Sequence, residues 1–128
     1  MKISIIGTGY VGLSTATAFA ELGNNVIGAD IDKEKVDGLN KGVMPIFEPG
    51  LKELVERNIK EKRLRFTHDN KEAINHGEVI FICVGTPPKA NGETDLKYIE
   101  AVAMEIARTI DSYKVIVHKS TVPVETGE

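Results

Sequence analysis

Residues 2–12 read Lys2-Ile-Ser-Ile-Ile-Gly7-Thr-Gly9-Tyr-Val-Gly12, an apolar strand pattern that runs directly into glycines with the spacing G-x-G-x-x-G. A helical pattern follows, and a second apolar strand, Asn25 to Ala29, leads to Asp30. Together these segments form one β-α-β unit: a strand, a glycine turn, a helix and a second strand. The second strand ends in an acidic residue about 20 positions after the last glycine. This unit predicts a parallel sheet covered by helices.

Each glycine of the turn has its own mechanical role. Gly7 permits the tight turn at the end of the strand, Gly9 lets a ligand approach the backbone without meeting a Cβ, and Gly12 lets the helix pack closely on the sheet. The first N–H groups of the helix lack intrahelical partners and lie at the positive end of its dipole, so they stabilise phosphates without a lysine. The pattern predicts a dinucleotide site; the alternative is that the glycines serve only the turn.

Asp30 decides which dinucleotide is favoured. A carboxylate at this position accepts hydrogen bonds from both hydroxyls of the adenosine ribose and repels the 2′-phosphate of NADP, so we predict that NAD is preferred. The alternative is an ordinary helix cap or solvated acid, but Asp32 is better placed to cap the helix that begins near Lys33. Lys35, on the first turn of that helix, either lies along the ribose or is a solvated lysine.

Length and composition exclude several other classes of protein. With 128 residues, 41% of them hydrophobic, and a net charge of −3, the chain suits one globular domain. It has no basic run typical of nucleic-acid binding, no apolar run of membrane-spanning length and no signal-peptide pattern, so we expect a cytoplasmic protein. The one cysteine, Cys83, lies in an apolar run and is interpreted as a buried hydrophobe rather than a catalytic thiol. We predict no metal site.

Strand and helix patterns alternate along the rest of the chain, which predicts an α/β fold. We expect a Rossmann-like, doubly wound parallel sheet of strand order 3-2-1-4-5 with helices on both faces. The fully apolar fourth strand supports a sheet covered on both sides. The predicted helices cover residues 10–22, 33–41, 70–76 and 96–110 and one that begins at Leu51, and the predicted strands cover 2–6, 25–29, 64–67, 79–84 and 114–118. The expected buried face of the helix over 96–110 is formed by Ile99, Val102, Ala103, Ile106, Ala107 and Ile110.

Five segments in one order resemble the amino-terminal domain of the UDP-glucose 6-dehydrogenases. They are Gly7 to Gly12, Pro45-Ile-Phe-Glu-Pro-Gly-Leu51, Phe81-Ile-Cys-Val-Gly-Thr-Pro87, Asp95-Leu-Lys-Tyr-Ile-Glu100 and Lys119-Ser-Thr-Val-Pro123. The resemblance covers nearly all of the chain. A departure follows the last segment, where Glu125 stands at a position that is often glycine in the family. The sister GDP-mannose dehydrogenases are the nearest rival family.

The resemblance implies roles for individual residues. Residues 1–128 would be an NAD-binding Rossmann domain, the amino-terminal part of a longer dehydrogenase whose substrate domain is absent. NAD would lie over the glycine turn, with Asp30 and Lys35 at the adenosine ribose and the backbone of Val11 at the pyrophosphate. Thr86 and Thr121 match positions near the nicotinamide.

Two residues would stand closer to the chemistry. Thr121 is similar to a family threonine that helps to hold a catalytic water, although its alternative is a plain loop hydroxyl. Tyr10 either reaches toward the substrate or serves in packing.

The reaction that the resemblance implies is a double oxidation of UDP-glucose to UDP-glucuronate, through two hydride transfers to NAD and a thioester on a cysteine. The family's catalytic cysteine lies beyond the part that this chain matches, and Cys83, in a core strand, does not replace it. We therefore expect the chain to be inactive alone, and the parent protein to be a homo-oligomer that binds NAD and a UDP-sugar, without nucleic acid or membrane. The alternatives are a GDP-mannose or UDP-N-acetylhexosamine 6-dehydrogenase, or a stand-alone nucleotide-binding module.

Overall fold

The computed structural model describes residues 1–43, 50–84, 97–110 and 112–118, and strands and helices alternate through these ranges. In chain order they are β1 (Lys2–Ile6), α1 (Tyr10–Glu21), β2 (Asn25–Ala29), α2 (Lys33–Asn40), α3 (Leu51–Lys60), β3 (Leu64–Thr67), α4 (Asn70–His76), β4 (Val79–Ile82), α5 (Lys97–Thr109) and β5 (Val115–His118). Most predicted bounds are matched within one residue. The fourth strand ends two residues earlier than predicted, although the N–H of Cys83 still donates to the carbonyl of Ile6 at 2.7 Å.

The strands form one parallel sheet in the order β3-β2-β1-β4-β5, which confirms the predicted Rossmann-like topology. β1 lies at the centre, and its last residue, Ile6, pairs with Ala29 of β2 on one side and with Ile82 of β4 on the other. The chain leaves β1 toward one edge of the sheet and later returns to build the other edge. The carboxyl ends of β1, β2 and β4 therefore meet at the point where the order reverses, which is where such sheets bind ligands.

Alternate residues of β1 enter two separate cores because successive side chains of a strand point to opposite faces. Ile3 and Ile5 belong to a core that is completed by residues of α1, α2 and α3, whereas Ile6 belongs to a core with residues of α4 and α5. Helices thus cover both faces of the sheet, as predicted. The helical members of the two cores are Leu13, Ala16, Ala20, Val36, Leu39, Leu51 and Val55 on the first face and Ile74, Val102 and Ile106 on the second.

The buried stripe of α5 is narrower than predicted. Val102 and Ile106 are buried and Ile99 and Ile110 pack against them, but Ala103 and Ala107 are exposed. Each alanine follows a buried residue and is rotated by about 100° around the helix from it, which carries it past the contact with the sheet. The prediction for these two alanines was wrong, because small apolar residues fit a solvent-facing helix surface as well as a core.

A buried polar residue links α1 to α3. Asn58 lies on the face of α3 that otherwise carries apolar side chains, and it is fully buried. Its Nδ2 donates to Glu21 Oε2 at 2.8 Å and to the carbonyl of Leu54 at 2.8 Å, and its Oδ1 accepts from Arg63 Nε at 3.0 Å. These bonds satisfy the amide, so its burial carries no large penalty.

The glycine turn has the geometry that the spacing predicts. Gly7 has a φ of +99°, in the left-handed region, and a Cβ on it would lie 2.8 Å from the carbonyl carbon of Cys83. A Cβ on Gly12 would lie 1.8 Å from the carbonyl oxygen of Gly7, whereas a Cβ on Gly9 would meet no atom within 4 Å. The turn function of Gly7 and the packing function of Gly12 are confirmed.

Gly12→Ala and Gly9→Ala form a matched pair that tests the packing of α1 on the turn. We expect Gly12→Ala to lower the free energy of unfolding by at least about 2 kcal/mol, in spite of the ~1 kcal/mol by which alanine normally favours a helix, because its methyl group collides with fixed backbone. Gly9 has a φ of −73° and open space, so Gly9→Ala should cost less than about 1 kcal/mol, the effect of a poorer N-cap. Urea unfolding measures both. Equal losses of stability in the two variants would contradict the packing role of Gly12.

Candidate dinucleotide-binding site

The glycine turn lies at the carboxyl end of β1 and is bonded to both neighbouring strands. The N–H of Gly7 donates to the carbonyl of Ala29 at 2.7 Å, next to the end of β2. On the other side, the N–H of Cys83 donates to the carbonyl of Ile6 at 2.7 Å. The turn is therefore bonded to the end of β2 through Gly7, and the strand end that leads into it is bonded to the residue that follows β4.

The amino-terminal end of α1 is open to an anion. Gly9 is the N-cap, no side chain caps the helix, and the first turn of Tyr10–Glu21 contains no acidic residue. The first bond of the helix runs from the N–H of Leu13 to the carbonyl of Gly9 at 2.8 Å, so the N–H groups of the preceding residues have no intrahelical acceptor. Because the position of a Gly9 Cβ is open space, a charged group can reach these donors.

Tyr10 and Val11 begin α1 with different orientations. The side chain of Tyr10 is exposed, while that of Val11 is partly buried and packs against the core. Only the backbone of Val11 is thus available to a ligand at the turn. The exposure of Tyr10 argues against the packing alternative for its side chain.

Asp30 directly follows β2, and its carboxylate is held by hydrogen bonds. Its Oδ2 accepts from Thr8 Oγ1 at 2.7 Å, from the N–H of Thr8 at 3.1 Å and from Lys35 Nζ at 3.2 Å. Its Oδ1 accepts from the N–H of Asp32 at 3.0 Å. The side chain is only 14% exposed, so Asp30 is not a solvated acid.

Asp30 is ionised at neutral pH in spite of its burial. Burial raises the pKa of the carboxyl group, but the hydrogen bonds from Asp32 and Thr8 and the charge of Lys35 together lower the pKa below its usual value. An ionised carboxylate is an acceptor only, which suits it to bind hydroxyl groups.

Asp32 rather than Asp30 caps the second helix, as predicted. Its Oδ1 accepts from the N–H of Lys35 at 3.2 Å. The cap orients the first turn of α2, from which Lys35 reaches back to Asp30. The solvated alternative for Lys35 is therefore wrong, because its side chain is 24% exposed and pairs with a carboxylate.

A groove of about 870 Å³ begins beside Asp30 and runs between α4 and α5. Ile31, which is largely exposed, lies at this groove. Inside it, Asn70 Nδ2 donates to Glu105 Oε1 at 2.9 Å, and Asn70 Oδ1 is buried without a hydrogen-bond partner among the described residues. The other lining residues are His68, Asp69, Lys71, Ala101, Val102, Arg108 and Thr109.

The structure brings most of the predicted site residues together. The glycine turn and the start of α1 contain Gly7, Gly9, Tyr10, Val11 and Gly12. Thr8 joins Asp30 to the glycine turn, and Lys35 is bonded to the same carboxylate. Thr86 and Thr121 lie outside the described residues.

Thr8 is the residue that the sequence reasoning missed. The spacing pattern treats it as a variable position between two glycines. The one feature of the sequence that could have indicated its role is its polar side chain, in a turn beside a strand that is followed by an acidic residue.

The sequence matches the UDP-glucose/GDP-mannose dehydrogenase family, NAD binding domain, over residues 1–128. The chain belongs to this family. The cofactor of the domain is NAD, which agrees with the open anion site at α1 and with the acidic residue after β2. No helix in the described part of the chain is long and apolar enough to cross a membrane.

Relatives within the family differ in the sugar nucleotide that their names record. The chain is 54% identical to UDP-glucose 6-dehydrogenase TuaD of Bacillus subtilis, over 99% of its own length and 28% of that protein. It superimposes on a ternary complex of GDP-mannose dehydrogenase from Pseudomonas aeruginosa with a TM-score of 0.91 and 44% identity, covering 98% of this chain and 30% of that one. For the UDP-D-ManNAc dehydrogenase of Pyrococcus horikoshii the TM-score is 0.89 and the identity 34%, with coverage of 98% and 30%. The chain thus spans less than a third of the length of these relatives.

Replacing Asp30 by Asn tests the charge of this carboxylate through the pH dependence of stability. The pKa of Asp30 is lowered in the folded state, so its ionisation stabilises the fold above the unfolded pKa of about 3.9, and this contribution is lost as the pH falls through the folded pKa. We expect Asp30→Asn to be less stable than the wild type at pH 7 and the difference to shrink toward pH 3. Urea unfolding across this range measures it. A difference that stays constant with pH would contradict the assignment.

Proposed function

We propose that NAD binds across the glycine turn, with its pyrophosphate at the amino-terminal end of α1 and its adenosine ribose at Asp30. The observation that carries this proposal is the hydrogen-bonded link between turn and carboxylate through Thr8, which puts an anion site and a hydroxyl-binding site on one rigid unit. The pyrophosphate would accept from backbone N–H groups, including that of Val11, and would pass over Gly9, where no side chain intervenes.

The adenosine end would occupy the surface from Asp30 to the groove. Asp30 Oδ1 would accept from the ribose hydroxyls, with Lys35 beside them. The exposed side chain of Ile31, which lines the groove, offers an apolar contact for the adenine ring.

The preference for NAD over NADP follows from the charge of Asp30. A 2′-phosphate would lie against a carboxylate that is mostly removed from water, where repulsion between like charges is weakly screened. The one cation beside it among the described residues is Lys35, which is already paired with the carboxylate at 3.2 Å.

The whole reaction that we propose for the parent protein is the oxidation of UDP-glucose to UDP-glucuronate. Bound NAD supplies the hydride acceptor for both steps. In this chain the glycine turn and Asp30 would hold and orient the cofactor, Thr86 and Thr121 would lie near its nicotinamide, and Thr121 would help to hold a water. The exposed side chain of Tyr10 would extend toward the substrate.

A second candidate reaction is the oxidation of another sugar nucleotide. The similarity to GDP-mannose 6-dehydrogenase of Pseudomonas aeruginosa, 43% over 96% of this chain, favours GDP-mannose, and the UDP-D-ManNAc dehydrogenase favours a UDP-N-acetylhexosamine. The candidate reactions are distinguished by comparing kcat/KM for UDP-glucose, GDP-mannose and a UDP-N-acetylhexosamine. This assay needs a protein that also carries the substrate-binding portion.

Replacing Asp30 by Ala tests the cofactor site directly. We expect a loss of about 1–3 kcal/mol of NAD affinity, because charge-assisted hydrogen bonds to the ribose are removed, while NADP should lose less or gain. Asp37→Ala, which removes an equal charge from the exposed face of α2, is the matched control and should bind NAD as the wild type does. Titration calorimetry measures all three proteins. Equal NAD binding by Asp30→Ala and the wild type would remove Asp30 from the site.

Turnover by the chain alone is a separate test. The one cysteine, Cys83, is buried in the sheet core, so no exposed thiol is present to capture an aldehyde. We expect no formation of NADH when the chain is mixed with NAD and UDP-glucose, as followed by the absorbance of NADH. Sustained NADH production would show that this chain holds the chemistry that we assign to the part of the relatives outside the match.

A further inference from the structure

Thr8 is directed toward Asp30 rather than toward the cleft. It is fully buried between Gly7 and Gly9, and its Oγ1 and N–H both donate to Asp30 Oδ2. Its methyl group faces β2, since a Cβ on Gly28 would lie 3.3 Å from Thr8 Cγ2. Thr8 therefore bridges the turn that follows β1 and the acidic residue that follows β2.

The two oxygens of Asp30 carry unequal numbers of hydrogen bonds. A carboxylate offers about four acceptor positions, two on each oxygen. Among the described residues, Oδ2 accepts two donors from Thr8 and one from Lys35, while Oδ1 accepts only the N–H of Asp32. Oδ2 thus has no acceptor position left, whereas Oδ1 has one position that these residues do not fill.

The donors on Oδ2 also differ in how firmly they are held. Lys35 reaches it through a long side chain with many rotamers, so this contact is easily exchanged for another. Both donors of Thr8 belong to a buried residue in a turn that is itself bonded to β2. Only the hydroxyl of Thr8 is set by the residue type, because every residue except proline supplies the N–H.

We propose that Thr8 is a positioning residue for cofactor binding: its hydroxyl fixes Asp30 Oδ2 against the glycine turn, which leaves Oδ1 directed to the ribose hydroxyls. This inference rests on the proposed function. It assigns to a variable position of the glycine pattern a share in the affinity for the ribose, exerted through Asp30 and without contact with the cofactor. Without the hydroxyl the carboxylate gains rotational freedom, which binding would have to remove.

Thr8→Val and Thr8→Ser separate this role from packing. Valine keeps the shape but lacks the hydroxyl, and serine keeps the hydroxyl but lacks the methyl. The probes are ADP and 2′-deoxy-ADP, which differ in one ribose hydroxyl, and calorimetry gives the affinity of the wild type and of both variants for each probe. We expect Thr8→Val to weaken ADP about fivefold or more and 2′-deoxy-ADP much less, because the second probe has already lost part of the interaction. Thr8→Ser should bind both within about twofold of the wild type.

Two results would overturn the proposal. One is ADP binding by Thr8→Val equal to that of the wild type, and the other is an equal loss for both probes, which indicates a packing role. Circular dichroism and thermal unfolding establish that each variant is folded. If Thr8→Val does not fold, Thr8→Ala removes the same hydroxyl without the branched side chain, and the same outcomes apply.

Asp30→Ala separates this inference from the proposed function. If Asp30→Ala binds ADP as the wild type does, the ribose site itself is wrong. If Asp30→Ala weakens ADP and Thr8→Val does not, only the role of Thr8 fails. In the double variant Thr8→Val/Asp30→Ala, the threonine substitution should add no further loss, because its effect acts through the carboxylate.

Discussion

The close approach of α1 to the backbone at Gly7 is the constraint on which the site depends. The carbonyl oxygen of Gly7 occupies space that a Cβ on residue 12 would need, so the helix lies against the turn only because that position is glycine. The approach sets the amino-terminal end of α1 directly over the end of β1. It also fixes the turn between the ends of β2 and β4, from which Thr8 reaches Asp30. A side chain at residue 12 would therefore disturb both the anion site and the position of the carboxylate.

The site needs a positive potential for the phosphates and a negative charge for the ribose hydroxyls. Phosphates need positive potential, which α1 supplies with uncapped N–H groups and no acidic residue in its first turn. The ribose hydroxyls need an ionised acceptor, and Asp30 is kept ionised, against its burial, by donors from Thr8, Asp32 and Lys35. Because those donors partly neutralise the charge of the carboxylate, Asp30 lies near the phosphate site without making the potential there negative. The family's use of NAD is consistent with this balance.

The sequence predicted the elements and their order well, and for identifiable reasons. Glycines and acidic caps mark the ends of helices locally, as Asp32 does for α2, and right-handed crossovers leave few strand orders for an alternating chain. The prediction failed where the sequence pattern does not indicate whether a side chain points to the core or to solvent. Ala103 and Ala107 fitted the apolar stripe of α5 but face solvent. The partners of the buried Asn58, Glu21 and Arg63, lie outside α3 and are set by the tertiary structure.

Pattern and spacing along the chain were enough to identify the β-α-β unit, the turn function of Gly7, the packing function of Gly12, the acidic residue after β2 and the family. These follow from local backbone geometry and from spacing, which a linear pattern records. The folded arrangement was needed to show that Thr8 holds Asp30, that Lys35 returns to the same oxygen and that Oδ1 has a single donor within the described part of the chain. Such hydrogen bonds join residues on neighbouring strands and a following helix, and their geometry exists only after the sheet has set those strands side by side.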